Sequence, residues 1–392
     1  MSKRVLILQA KGKQVGGVWF VNKTLAEGLV NKGYEVEILC VRNNKTDLVP
    51  EYSKKIKVFT INEEDIWEIT KRRDILNSIK KFKLIESFKL IIKRLKEVFK
   101  LKKDYEKIKQ YIINFNPNYI INSHYELLDA IPKTYLNVTI NEIHTSYNRV
   151  KIECQDAIKK LIKYNNKLAK MVWLTNNTCK DAINDGFTNS ICIYNPIRFN
   201  TKKKANVNKN KKLITMCRLS SEEKRLDLMV EIVNEILKDK KFKDWNLQLY
   251  GPGEPDSQTL DIINSNANIK IMGNTDNPQE VLLNSSIYLS TSPYEGLSLS
   301  ILEAMECGIP TVAYHFGEST EEEIINNETG LIIPFGKKQE FIKKLKKLMN
   351  DEEKLNDMSL NCKNKAKDFT IEEILTKWED LFRKIDDKNG KN

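Results

Sequence analysis

The chain has 392 residues, is 41% hydrophobic and 8% aromatic, and carries a formal net charge of +12. That is too long for one ordinary core and too apolar for a disordered chain, so at least two domains are expected. No apolar run reaches the roughly 18 residues of a membrane-spanning helix. The seven cysteines, an odd number with no C-x-x-C pair, argue against disulfides and zinc and leave buried free thiols as the plain reading.

Residues 4–9 (RVLILQ) form a near-continuous apolar run, the pattern of a parallel strand buried on both faces. The run is too short for a signal peptide, and Lys11 and Lys13 stand where a small-residue cleavage site belongs, so a cytoplasmic protein is expected. A loop ending at Gly16 and Gly17 follows. Phe20, Val21, Leu25, Leu29 and Val30 then recur at helical spacing up to Gly33. Residues 36–41 and 57–61 read as the second and third strands. Residues 118–122, 136–143, 172–175 and 190–194 complete this half.

Residues 200–212 are polar, lack periodicity and read as an interdomain linker. A second series follows: strands at 213–216, 245–250, 269–272, 287–290, 310–313 and 330–333, a helix at 226–237, and a helical tail over 338–386. Alternation of this kind implies two doubly wound, mostly parallel α/β domains. The boundaries read from it are residues 1–198, 199–370 and a closing helix in 371–392.

The positive charge is local. Residues 71–109 hold 15 Lys and Arg against 5 Asp and Glu, ten of the twelve net charges. Ile75, Ile79, Phe82, Ile85, Phe88, Ile92, Leu95 and Phe99 recur there at spacings of three and four, one face of a helix, and the length suggests two helices. Two readings of this basic segment, taken as 71–112, stand even. One is an amphipathic helix lying on anionic lipid. The other is a surface helix packed on the sheet with a solvated basic face. Nucleic acid is not an expected partner, because no binding module is recognisable.

The richest stretch for chemistry is residues 292–305, SPYEGLSLSILEAM. An apolar strand ends, a Pro- and Gly-containing loop follows, and a helix starts near Leu299. The amides of Gly296, Leu297, Ser298 and Leu299 at such a start suit a phosphate. Glu295 in the loop and Glu303 one turn into the helix can accept hydroxyls of a ribose or a sugar; the plain alternative is a dipole partner and a solvated acid. Arg218 ends one strand and Lys224 opens the next helix, where open α/β sheets bind ligands. The pair offers a fork and a point charge to a diphosphate, or is a simple surface pair. Gly16 and Gly17, and Gly251 and Gly253 around Pro252, allow close backbone approach, or merely turn the chain. His144 also ends a strand, with His124 as its substitute; a lone histidine is more often structural, and His315 reads as loop lining. There is no D-x-D string to carry a metal-bound diphosphate, so no metal is expected.

In this order the pieces resemble the retaining glycosyltransferases of family 4, glycosyl transferases group 1, with the two-Rossmann GT-B fold. The resemblance rests on the first strand with its glycine pair, on Glu295 and Glu303 with seven residues between them, on EAMECGIPTVA (303–313) and on NNETGLIIP (326–334). It implies two domains facing across a cleft, with a last helix, containing Trp378, that crosses back to the acceptor-binding N-terminal domain. It implies that Glu295 contacts the donor sugar, Glu303 the ribose, the amides of Gly296 to Leu299 the β-phosphate, Arg218 and Lys224 the diphosphate, and that His144 lies near the reacting sugar. The donor implied is a nucleotide diphosphate hexose, UDP-linked on family grounds. The acceptor is a polysaccharide, glycolipid or teichoic-type polymer, which would suit a peripheral place at the inner face of a bacterial membrane. Cys217 and Arg225 depart from the family, whose pattern has glycine at both places. Other enzymes on this fold, a phosphorylase or a nucleotide-sugar epimerase, and a non-catalytic adaptor acting through the basic helix remain the alternatives.

Overall fold

The computed structural model describes residues 2–11, 16–42, 52–62, 78–80, 84–153 and 155–390. They fall into two compact units. The first holds residues 1–143, 156–172 and 379–392; the second holds 144–155 and 173–378.

The first sheet contains β1 (Arg4–Lys11), β2 (Glu35–Arg42), β3 (Lys57–Asn62), β4 (Tyr119–Asn122), β5 (Thr139–Ile143), β6 (Lys170–Trp173) and β7 (Ser190–Cys192). Their order is 3-2-1-4-5-6-7, and β1 pairs in parallel with both β2 and β4. Val5, Leu6, Ile7 and Leu8 are all fully buried, as a strand covered on both faces requires. The second sheet repeats the plan with β8 (Lys212–Met216), β9 (Asn246–Tyr250), β10 (Ile269–Gly273), β11 (Ile287–Ser290), β12 (Thr311–Tyr314) and β13 (Gly330–Ile333), in the order 10-9-8-11-12-13. Both are doubly wound Rossmann-like sheets, and the strand order reverses at β1/β4 in one and at β8/β11 in the other.

Two stretches differ from the sequence reading. The strand expected over 136–143 begins only at Thr139, because Lys133–Val138 makes a 3-10 turn after Pro132; Leu136 and Val138 are buried in either form, so hydrophobicity alone could not separate the two. Residues 200–212 are not a free linker. Ala205 and Val207 sit in the core of the second unit, and Val207–Asn210 is a short helix capped by the Asn206 side chain. Of the basic segment, the part from Leu84 onward is one helix, Leu84–Phe115, and residues 78–80 are helical as well. Its earlier part, residues 71–77 and 81–83, lies outside the described residues, as does Cys154.

The tail is helical as the pattern suggested: Lys338–Met349, Glu352–Lys365 and Ile371–Lys388. The last of these contributes Ile371 to Trp378 to the second unit and the rest to the first. Within the first unit, Phe382 stacks on Tyr119 at 4.0 Å and Asp386 accepts the Tyr119 hydroxyl at 2.6 Å. The six described cysteines are free; Cys192 and Cys217 are half-buried and the other four buried. Among the described residues no helix is long and apolar enough to cross a membrane.

Candidate functional site

In the second unit, β8 and β11 are neighbours at the strand-order reversal. The loops leaving their C-terminal ends therefore splay apart and leave a crevice, the usual ligand position in such sheets. After β8 come Arg218 and Lys224. After β11 come Glu295, Gly296 and the helix Leu299–Glu306.

The two loops meet through charge. Lys224 Nζ lies 2.7 Å from Glu295 Oε1, both largely shielded from water. Burial pulls the Lys224 pKa down, but the Glu295 carboxylate outweighs it and the net shift is upward, so Lys224 is held as a cation. Arg218 Nη1 donates to Glu223 Oε2 at 2.6 Å on the exposed rim. The turn is fixed from behind by Thr291, whose hydroxyl reaches the carbonyls of Lys224 (3.0 Å) and Arg225 (2.9 Å). Arg225 takes a left-handed backbone (φ 48°), which explains why a glycine suits that place, and its guanidinium bonds Asp227 on both sides.

His144 and its neighbours belong to the same unit. A polar pocket is lined by His144, Ser146 and Arg149 on one side and by Glu223, Lys224, Tyr294, Glu295 and Gly296 on the other. The approach is close. A Cβ built on Gly296 would stand 2.9 Å from the His144 carbonyl oxygen and 3.1 Å from Thr145 Cα, so only glycine fits without displacing backbone.

Gly251 and Gly253 act on the Arg218 loop. Cys217 N–H donates to the Tyr250 carbonyl and Leu219 N–H to that of Pro252, each at 2.9 Å. Gly251 has φ 140°, and a Cβ there would lie 1.8 Å from the Cys217 carbonyl oxygen. Gly16 and Gly17 are in the first unit, where Gly16 precedes and Gly17 opens the helix Gly17–Asn31. His124 is also in the first unit, and His315 pairs with Glu321 at 2.9 Å on the surface of the second.

Glu303 is not a solvated acid. It is 1% exposed, and both its oxygens are held by Arg198, through Nε and through Nη2 at 2.6 Å. Burial raises its pKa and Arg198 opposes the rise. The amides of the helix start are divided. Ser298 N–H donates to Glu323 Oε1 at 3.1 Å, so it is already spent on an internal carboxylate. Among the described residues, no hydrogen bond occupies the amides of Gly296, Leu297 and Leu299. Tyr288 ties the two elements together: its hydroxyl bridges the amide and carbonyl of Met216, at 3.1 Å each, and lies 2.8 Å from the Ser300 hydroxyl.

Arg198, Glu323 and Tyr288 escaped the sequence reading. Glu323 sits in a run of three glutamates that looks like solvated surface. The three nevertheless have separate partners. Glu321 meets His315, Glu322 caps the helix Asn176–Asn184 through the amides of Asn176 and Asn177, and Glu323 holds Ser298. Among the described residues no group of three His, Cys, Asp or Glu is arranged to hold a metal.

Residues 197–365, which carry most of this site, match the family described as "Glycosyl transferases group 1". The second unit thus carries a glycosyltransferase domain of this group, and the protein is a glycosyltransferase. This glycosyltransferase is 25% identical over 383 residues to an uncharacterized glycosyltransferase of Haemophilus influenzae, covering 94% of the chain and 96% of that protein. It is 29% identical over 163 residues to a poly(ribitol-phosphate) alpha-N-acetylglucosaminyltransferase of Staphylococcus aureus, covering 41% of the chain and 33% of that protein. Its fold is also that of a solved structure, a mutant of S. aureus TarM in complex with fondaparinux, alpha-GlcNAc-glycerol and UDP. There the TM-score is 0.72 at 15% identity, with 97% of this chain and 99% of that one covered. The two-domain GT-B fold is thereby established.

Proposed function

We propose that this glycosyltransferase is a retaining, family 4 hexosyltransferase. It takes its sugar from a nucleotide diphosphate donor, UDP-linked, and passes it to a cell-surface glycan, glycolipid or polymer. The observation that carries the reading is the Lys224–Glu295 contact at the β8/β11 reversal, in a pocket shared with His144 and Gly296. The names of the S. aureus relative and of the UDP-bound TarM structure support it.

In this reading the diphosphate enters between Arg218, Lys224 and the amides of Gly296, Leu297 and Leu299. Its negative charge replaces the carboxylates that now pair with the two cations. Glu295, released from Lys224, accepts sugar hydroxyls, and Glu303, uncovered as Arg198 turns aside, accepts ribose hydroxyls. His144 stands by the reacting carbon. The acceptor oxygen bonds to the anomeric carbon on the face that the diphosphate leaves. The electrons of the broken C–O bond go to the diphosphate, and the acceptor proton passes to a departing phosphate oxygen. The protein's share is orientation and charge stabilisation, without a resident metal. Gly16 and Gly17 belong to the acceptor-binding side, within a domain of residues 1–198, and the donor domain is 199–370. Peripheral contact with a membrane suits a lipid-linked acceptor.

A thermal-shift screen of nucleotide diphosphate sugars in EDTA tests this. A ligand bound only by the folded state raises the melting temperature. One UDP-sugar should stabilise the protein, and Glu303→Ala should abolish the effect. No stabilisation by any donor or by UDP refutes the reading.

A further inference from the structure

The helix Leu84–Phe115 packs into the first unit by its second half, where Asp104, Ile108 and Ile112 are buried. Its first half does the opposite of an ordinary amphipathic helix. Leu84 is 71% exposed, Ile85 76%, Phe88 64%, Leu95 64% and Phe99 61%, and Ile92 is exposed as well. Ile85, Phe88, Ile92, Leu95 and Phe99 follow one another at spacings of three, four, three and four, so they form one continuous apolar ridge. From Leu84 to Phe99 it runs about 22 Å along the surface at ~1.5 Å per residue. The helix therefore turns its apolar ridge outward, not toward the sheet.

What covers the ridge is written in its border. Phe88, Ile92 and Leu95 are each followed at once by a lysine, so Lys89, Lys93 and Lys96 form a parallel ridge about a quarter-turn round the helix. All three are exposed. Lysines so placed can lay their stems beside an apolar surface and lift their ammonium groups to an anionic plane above it. A second copy of this chain would bring two such cationic borders together. An anionic bilayer meets both ridges, taking the apolar one below its headgroups and the cationic one at them.

We propose that the first half of this helix, with Ile85, Phe88, Ile92, Leu95 and Phe99 inserted and Lys89, Lys93 and Lys96 at the headgroups, docks the enzyme in the plane of an anionic lipid bilayer. The surface is independent of the donor site and deepens the reading of the acceptor as lipid-linked. The sixteen-residue ridge is a contact strip lying on the membrane.

Vesicle co-sedimentation of the full chain tests it, with phosphatidylcholine alone against phosphatidylcholine mixed with phosphatidylglycerol, at low and high salt. The enzyme should pellet with the anionic vesicles only and be released by salt. The triple variant Phe88→Ser, Leu95→Ser, Phe99→Ser should stay in the supernatant. Lys89→Gln, Lys93→Gln, Lys96→Gln should lose the preference for phosphatidylglycerol. Because these side chains are exposed, both variants should keep the wild-type melting temperature and the wild-type response to UDP. A wild-type protein that never pellets overturns the proposal, as does a serine variant that pellets equally well. So does a dimer that the serine variant splits without any vesicle binding, which assigns the ridge to self-association. Vesicle binding needs no donor, so its failure is separate from a failure of the transferase reading.

Discussion

Replacing Arg198 by Met isolates the pair that holds Glu303. The carboxylate is 1% exposed and both its oxygens are engaged by the one guanidinium, while Arg198 keeps 21% exposure. Removing one partner of a buried pair leaves a charge that neither water nor protein solvates, at a cost of about 3–5 kcal/mol. For a unit of this size that is a fall of roughly 6–20 °C in its transition. The loss has a pH signature. Burial already raises the Glu303 pKa and Arg198 resists the rise, so the Met variant lets it climb further. A carboxyl with a raised folded-state pKa contributes its stability below the unfolded value, about 4.3, and loses it as pH rises through the folded value. The gap between Arg198→Met and wild type should therefore be small in acid and widen toward neutral pH. Urea denaturation across that range measures it, and adding Glu303→Gln to the Met variant should recover much of the neutral-pH loss. A Met variant within 1 kcal/mol of wild type at neutral pH, or a gap that widens toward acid, would refute the reasoning.

Three further outcomes are expected. Glu323 has its pKa raised well above the carboxylate range, first by burial and then by Glu295, against the pull of the Ser298 amide; its stabilising share is present at low pH and lost as pH rises. Glu323→Gln keeps an acceptor for Ser298 and cannot ionise, so its stability relative to wild type should improve steadily above about pH 4.3, as denaturation at a series of pH values will show. Gly296→Ala forces the helix-start loop away from the His144 backbone. Denaturation and UDP titration should show a stability loss of about 1–3 kcal/mol with weakened nucleotide binding. On the proposed reading Lys224→Met removes a cation that meets the donor diphosphate, and turnover measured by UDP release should fall about a hundredfold or more.

Much of the fold could be read from local pattern. The apolar runs at 4–9 and 287–290 are strands because both their faces are covered, and burial on two faces leaves an unbroken signature. The misreadings lie where hydrophobicity is the same for two conformations, as at 136–138, or where two small side chains anchor a polar stretch, as Ala205 and Val207 do within 200–212. The basic helix shows a third limit. Its periodicity was plain, but period says which residues share a face and not which way the face turns.

The candidate site divides in the same way. Arg218, Lys224, Glu295 and Gly296 stand at strand ends and a helix start, positions that sequence marks. Arg198 lies 105 residues from Glu303, and Glu323 lies 25 residues from Ser298. Nothing near either residue announces its partner. Only the general rule that a buried acid needs a cation or an amide points toward such a group, and the rule does not say where to look.

The most direct test is amide hydrogen exchange of the wild-type protein with and without UDP. The account predicts slowed exchange in 217–225 and in 296–300, with Gly296, Leu297 and Leu299 responding and Ser298, already bonded to Glu323, changing least. Protection confined to other segments, or none at saturating UDP, would contradict it.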